Sequence, residues 1–224
     1  MTFSLTARCA RTGMFGVVVT SSSPAVAARC AWVRGHVGAV ASQNITDPGL
    51  GLMGLDLLGQ GYGARKAMEI MVAAREYSEA RQLAIVDRLG HTAHHSGSGT
   101  LGTNNVAQGE NAVAAGNLLS TPKVPVAMVE AFEAHADDHL AERLLKGVEA
   151  GLDAGGEEGD VKSAGVTVCH EHDWPICDLR VDWHDEPIAA LRRVWDVYRP
   201  QMDAYIMRAL DPRDTPSYGV PGDP

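Results

Sequence analysis

The chain has 224 residues, of which 45% are hydrophobic and 21% charged, and its formal net charge is -9. This length and balance suit one folded domain with a sizeable core and argue against extended disorder. Negative charge without any Lys/Arg-rich run gives a phosphate-tracking nucleic-acid surface little support, and no apolar run approaches the roughly 18 residues that a membrane span needs.

The first elements predicted are strands. "TFSLTARCA" alternates, "RTG" is a turn, "MFGVVVTSSS" is apolar and β-branched, and "HVGAVASQ" resumes after a Pro-containing loop. They read as a β-meander starting at residue 2, which would pin a terminus that otherwise frays. From Leu50 to Ala74 the apolar spacing becomes three and four, predicting two helices separated near Gly61 and Gly63. "LAIV" and "HTAHHS" follow as strands joined by "DRLG", then "SGSGTLGTNN" as a polar loop and "NAVAAGNLLS" as a small-residue strand. Pro122 opens a helix to about His135, and a second helix, capped by Asp137 or Asp138, ends at Gly155 or Gly156.

"GGEEGDVKS" reads as an acidic, glycine-rich turn before the strands "AGVTVCHE" and "ICDLRVDW". Pro187 opens a long amphipathic helix broken at Pro200. Residues 1–210 then form one domain, and 211–224 a loosely held tail. Strands and helices arriving in groups argue for antiparallel sheets with helices outside, an α+β fold whose order fits a four-layer αββα sandwich.

The start carries none of the basic-then-apolar pattern of a secretion signal, so a cytoplasmic protein is expected. Cys9, Cys30, Cys169 and Cys177 form no C-x-x-C pair and read as reduced, mostly buried residues, Cys177 being the one near two histidines.

Thr2 is the first candidate for chemistry. If Met1 is trimmed, Thr2 holds a hydroxyl beside an α-amine whose reference pKa is roughly 7.7–8.0, a nucleophile and base in one residue. The competing reading is an ordinary edge-strand Thr.

An N-terminal Thr on a short strand, "TGMFGVVVTSSSPAVA" and "GHVGAVASQ" together resemble the N-terminal nucleophile (Ntn) hydrolases, distantly the proteasome β-type subunits. "MTFSLTAR", "GVVVTS", "WVRGHVGAVASQ", "RQLAIVD", "GNLL" and "DLRVDWHDEPIAALRR" more closely resemble a bacterial family known as DUF1028, regarded as Ntn-hydrolase-like. The resemblance implies the αββα sandwich and catalysis through Thr2 on a small amide or related acyl compound, with no substrate named. In that layout a basic residue near the nucleophile is implied, for which Arg34 is the candidate and His36 the weaker one. The acid expected at the polar corner is replaced by "SSSP", so Ser22 or Ser23 would orient the nucleophile.

Gly116 and Asn117 are the oxyanion-hole candidates, a close backbone approach and an amide donor in an apolar segment; a buried, satisfied Asn is the alternative. Asn44 and Asp47 lie just past a strand and would line the same cleft, although Asp47-Pro48 also suits a turn. His170 and His172 share one strand face, as do Asp182 and His184, which leaves a metal-dependent hydrolase as a further alternative; no cofactor or metal is assigned in the main reading. A non-catalytic ligand-binding or scaffold protein is the other. The partner expected is a small amide-like substrate, not nucleic acid or membrane, and the apolar helix faces suggest a homo-oligomer.

Overall fold

The computed structural model describes residues 1–221; the last part of the expected tail, 222–224, lies outside them. The elements are β1 (Thr2–Arg8), β2 (Phe15–Ser21), α1 (Ala27–Cys30), β3 (Ala31–Arg34), β4 (Gly38–Asn44), α2 (Pro48–Gly59) and α3 (Ala64–Ala73). They continue with β5 (Arg81–Asp87), β6 (Thr92–Ser96), β7 (Asn105–Gly109), β8 (Ala112–Asn117), α4 (Val124–Glu133) and α5 (Leu140–Asp153). β9 (Ser163–Cys169), β10 (Cys177–Val181), α6 (Pro187–Tyr198) and α7 (Met202–Leu210) complete the described chain, apart from short 3-10 turns.

One sheet runs β10-β9-β2-β1-β8-β7 and the other β3-β4-β5-β6. All neighbours are antiparallel. Alternation along each strand gives each sheet two faces, and each face has its own partner. Phe3, Leu5 and Ala7 join Met128, Leu144 and Trp195 in a core between the first sheet and α4, α5 and α6. Phe15, Val17, Val113 and Ala115 meet Ala39, Ala41, Ala84 and Val86 between the sheets. Val40, Leu83 and Ile85 pack on Leu50, Leu55, Met68 and Met71 of α2 and α3. Helices, sheet, sheet, helices: this is the four-layer αββα sandwich of two antiparallel sheets.

The expected meander is corrected. β4 does not follow β2 into the first sheet; it crosses to the second, where it pairs with β3, a stretch read as loop. β9 takes the place beside β2, with Val17↔Thr167 and Val18↔Val166 in register. Ala39 and Ala41 of β4 pack face to face on Phe15 and Val17, their small side chains fitting against the larger ones. β7 was also outside the expected strands. The cap of α5 is His139, whose Nδ1 accepts from the Ala141 amide at 3.2 Å, rather than Asp137 or Asp138. The long C-terminal helix is broken at Pro200 into α6 and α7.

Candidate active site

At one end of the sandwich β1 and β5 begin and β2, β4 and β8 finish. Register brings Thr2 opposite Asn117 on β8, and Phe3 opposite Thr20 on β2, which leaves Ser21 beside Thr2. Thr2, Ser4 and Thr6 are on the face of β1 turned toward the second sheet, the reverse of Phe3 and Leu5.

A chain of amides fills that face. Ser4 Oγ donates to Gln43 Oε1 at 2.7 Å, and Gln43 Nε2 donates to Gln82 Oε1 at 2.8 Å. Asn117 Nδ2 reaches the same oxygen at 3.0 Å. Gln82 Nε2 in turn donates to the Gly116 carbonyl at 3.0 Å and to Ser96 Oγ at 3.1 Å. A carbonyl only accepts, so it fixes the orientation of Gln82 and through it that of its two neighbours. Ser4, Gln43, Gln82 and Asn117 are fully buried, and Asn117 Oδ1 is left without a partner.

Thr2 is 5% exposed. Its hydroxyl donates to the carbonyl of Met1 and stands 3.4 Å from Ser21 Oγ, which donates to the same carbonyl. The Ser23 amide donates to Ser21 Oγ at 3.0 Å and holds that hydroxyl in place. Met1, 37% exposed, lies over this row and beside Gly159.

A carboxylate that sequence reasoning missed closes the end of the row. Glu157 forms an antiparallel bridge with Leu119 just past β8, and the Glu158 amide donates to the Leu118 carbonyl at 3.0 Å. From there the Glu157 side chain reaches the far neighbour of β1, where Oε2 accepts from the Ser22 amide at 3.3 Å. The residue is 5% exposed and Oε1 has no partner. Burial pushes the carboxyl up to about 7, against the opposing pull of the chain's amino terminus and of Ser22. The only trace of it in the sequence is a pair of adjacent acids in a glycine-rich turn, which carries no periodicity.

The predicted residues divide. Thr2, Asn117 and Gly116 come together, but the amide group of Asn117 is engaged by Gln82 and its unmet atom is an acceptor, and Gly116 presents its carbonyl to Gln82. Ser22 and Ser23 contribute backbone amides; the hydroxyl at Thr2 belongs to Ser21. Asn44 is at this end of the sandwich, with φ 74°, but its side chain bonds the Ala80 carbonyl at 2.6 Å and the Leu101 amide at 3.2 Å. Asp47 caps α2 through the Gly49 amide at 2.9 Å.

Arg34 and His36 are placed at the other end. Arg34 pairs with Gly38, at the opposite end of β4 from Asn44, about 20 Å away at some 3.3 Å per residue. It forms an exposed ion pair with Asp56 at 2.9 Å, and His36 Nε2 meets the Glu171 carbonyl at 3.2 Å. The histidine hairpin is corrected likewise. His170 follows the last residue of β9, whereas the His184 amide donates to the Lys162 carbonyl, just before the first. The two pairs are thus about 25 Å apart along the strand, and among the described residues no three His, Cys, Asp or Glu side chains gather to hold a metal ion.

A family model described as "Family of unknown function (DUF1028)" matches residues 2–191. The chain belongs to this family. A DUF1028 protein of known crystal structure, from Silicibacter pomeroyi, is 30% identical with a TM-score of 0.82, over 88% of this chain and 85% of that one. Two Anbu structures are also similar, each 10% identical over 91% of this chain and 97% of theirs. One is a Gly-1 mutant from Hyphomicrobium sp. strain MC1, with a TM-score of 0.43; the other, the ancestral β-subunit from Yersinia bercovieri, has one of 0.37. No curated protein matches the chain. The DUF1028 match begins at Thr2 itself and ends within α6, so it spans every strand of both sheets.

Proposed function

We propose that this DUF1028 protein is an N-terminal nucleophile hydrolase that cleaves a small amide or related acyl compound through Thr2, once Met1 has been removed. The observation that carries the reading is the placement of the Thr2 hydroxyl. It lies at the end of a buried polar row, hydrogen-bonded to a carbonyl that the Ser21 hydroxyl also bonds. A substrate carbonyl brought to the same two hydroxyls would be within reach of Thr2 Oγ. The freed α-amine would take the hydroxyl proton and return it to the leaving group, and water would release the acyl-enzyme.

The test compares three full-length proteins: one beginning at Thr2, one retaining Met1, and Thr2→Ala. A β-lactone acylating probe should add its mass to Thr2 in the first alone. On any amide that the first hydrolyses, the Ala variant should be slower by at least about a thousandfold, and the Met1 form by at least about a hundredfold. Equal rates for the Ala variant would sink the proposal.

A non-catalytic, ligand-binding role is the second reading. It is favoured by the engagement of the Asn117 amide by Gln82 and by the distance of Arg34, which leave no side-chain cation beside Thr2 in the row described. Tight binding of a small ligand without probe labelling of Thr2 would support it.

A further inference from the structure

We propose that Glu157 is the positioning residue of the nucleophile, holding the Thr2 α-amine as its counter-charge and proton partner. The inference rests on Thr2 being the nucleophile and on the loss of Met1.

Strand register supplies the geometry. β1 is flanked by β8 and β2, and past its first residue these neighbours continue as Leu118–Leu119 on one side and Ser22–Ser23 on the other. Glu157 is joined to the first continuation by its bridge to Leu119 and to the second by its carboxylate on the Ser22 amide. Its side chain therefore crosses the gap through which Met1 leaves the sheet. When Met1 is gone, the terminal nitrogen of Thr2 is the chain atom that faces that gap.

Hydrogen-bond demand matches as well. Two buried acceptors at this end of the sheet lack donors: Asn117 Oδ1, on the residue opposite Thr2, and Glu157 Oε1, on the residue that bridges Leu119 and bonds Ser22. A buried acceptor without a donor costs about 1–3 kcal/mol, and an ammonium brings three donors and no acceptor. An oxyanion would be repelled by both atoms; an α-ammonium carries the donors that both lack. Among the described residues, the nearby cations are engaged elsewhere: Arg29 of α1 donates to the Pro24 carbonyl at 2.6 Å and the Ala25 carbonyl at 3.3 Å. Glu158, Asp160, Asp185 and Glu186 line the outer groove of the same loop, and Lys162 is engaged by Asp160 at 3.6 Å and Asp185 at 3.0 Å.

In the resting pair the proton is on the amine, as ammonium and carboxylate. Its passage to Glu157 leaves a neutral amine and a carboxylic acid. The amine then takes the Thr2 Oγ proton as the Oγ–carbon bond forms and the carbonyl π pair moves onto oxygen. As the scissile C–N bond breaks, the amine hands that proton to the departing nitrogen.

The experiment reads the amine directly and needs no substrate. Full-length protein is made as a cleavable fusion that leaves Thr2 first, and trace acetylation across pH, followed by peptide mass spectrometry, gives the pKa of the Thr2 α-amine. Glu157→Gln should lower it by about one unit, a tenfold rise in neutral amine at a given pH below the pKa. Glu157→Asp, which keeps the charge but retracts it by one methylene, should lower it about half as far and decides the matter if the Gln variant does not fold. Glu158→Gln, next along the chain, should leave it unchanged. An unchanged pKa in a folded Glu157 variant, or an equal fall in Glu158→Gln, overturns the proposal. Failure of the hydrolase reading would show elsewhere, in the comparison of Thr2 with its Ala variant.

Discussion

Glu157 is an uncommon residue for its place: a carboxyl nine-tenths buried with one oxygen unbonded. Its folded-state value of about 7 stands above the ordinary 4.5, because burial penalises the charged form. The folded chain thus binds more protons than the unfolded one between these two values. Its stability from this group is fully present below about pH 4.5 and is lost as pH rises through about 7. Glu157→Gln, neutral at every pH, escapes that loss. In protein whose intact mass retains Met1, urea unfolding should show no gain for the variant at pH 4.5 and a gain of about 3 kcal/mol above pH 7, from 2.5 units at roughly 1.4 kcal/mol each. A gain that does not vary with pH would mean that the carboxyl is not desolvated. At the same scale, Asn117 was legible in the sequence because an amide inside "AAGNLL" must answer to something. Ser21 was not, since three successive serines look alike until the pairing of β1 with β2 says which one is opposite Thr2. Arg34 misled because a basic residue near a strand says nothing about which end of the strand it occupies.

Elements are held to β1 by closeness of approach. α5 crosses the first sheet at Gly147, where a Cβ would stand 2.7 Å from Leu5 Cδ2 and 3.2 Å from the Met128 carbonyl. One turn on, at Gly151, it would be 2.8 Å from Met128 Cγ and 3.1 Å from Phe3 Cε2. Gly147→Val should therefore push the helix off the strand, destabilising by roughly 1–3 kcal/mol, seen as a lower urea midpoint at unchanged slope. Because Leu5 is on the same strand as Thr2, labelling of Thr2 by an acylating probe should slow in this variant; unaltered stability would show that the contact is slack. Periodicity revealed most of these elements, as it reports which face of a strand or helix is apolar. It was silent on neighbours: "HVGAVASQ" is the same strand whether it pairs with β2 or lies across from it, and alanines at 39 and 41 suit both. β7 escaped because Asn105–Gly109 is a half-buried edge strand of small and polar residues, the composition of a loop.

For the whole molecule, three cores in series explain how one chain supports a four-layer domain, and they show where the apolar helix faces are used. Met68 and Met71 of α3 are committed to the second sheet, and Ile188, Leu191 and Trp195 of α6 to the first. Val194, Val197 and Leu210 remain exposed on the C-terminal helices, so any self-association is best sought there. Beyond Leu210, Tyr218 lies 6.4 Å from the Tyr205 ring and under the Arg208 guanidinium at 3.7 Å. Such contacts are worth about 1–2 kcal/mol together. A chain ending at Leu210 should thus melt cooperatively about 2–8 °C lower, measured by calorimetry; a far larger fall would make the tail a member of the domain. Among the described residues, no helix is long and apolar enough to cross a membrane.

The closed tip of β1 has a practical corollary. Leu118–Leu119 on one side and Ser22–Ser23 on the other flank the point where Met1 precedes the strand, and Glu157 is bonded to both sides. On the proposed reading, an affinity tag or a vector-derived residue placed ahead of Thr2 turns the α-amine that serves as base into an amide, while leaving the hydroxyl in place. A test of the proposed activity therefore carries its tag at the opposite terminus, and a negative result with amino-terminally tagged protein does not count against the proposal.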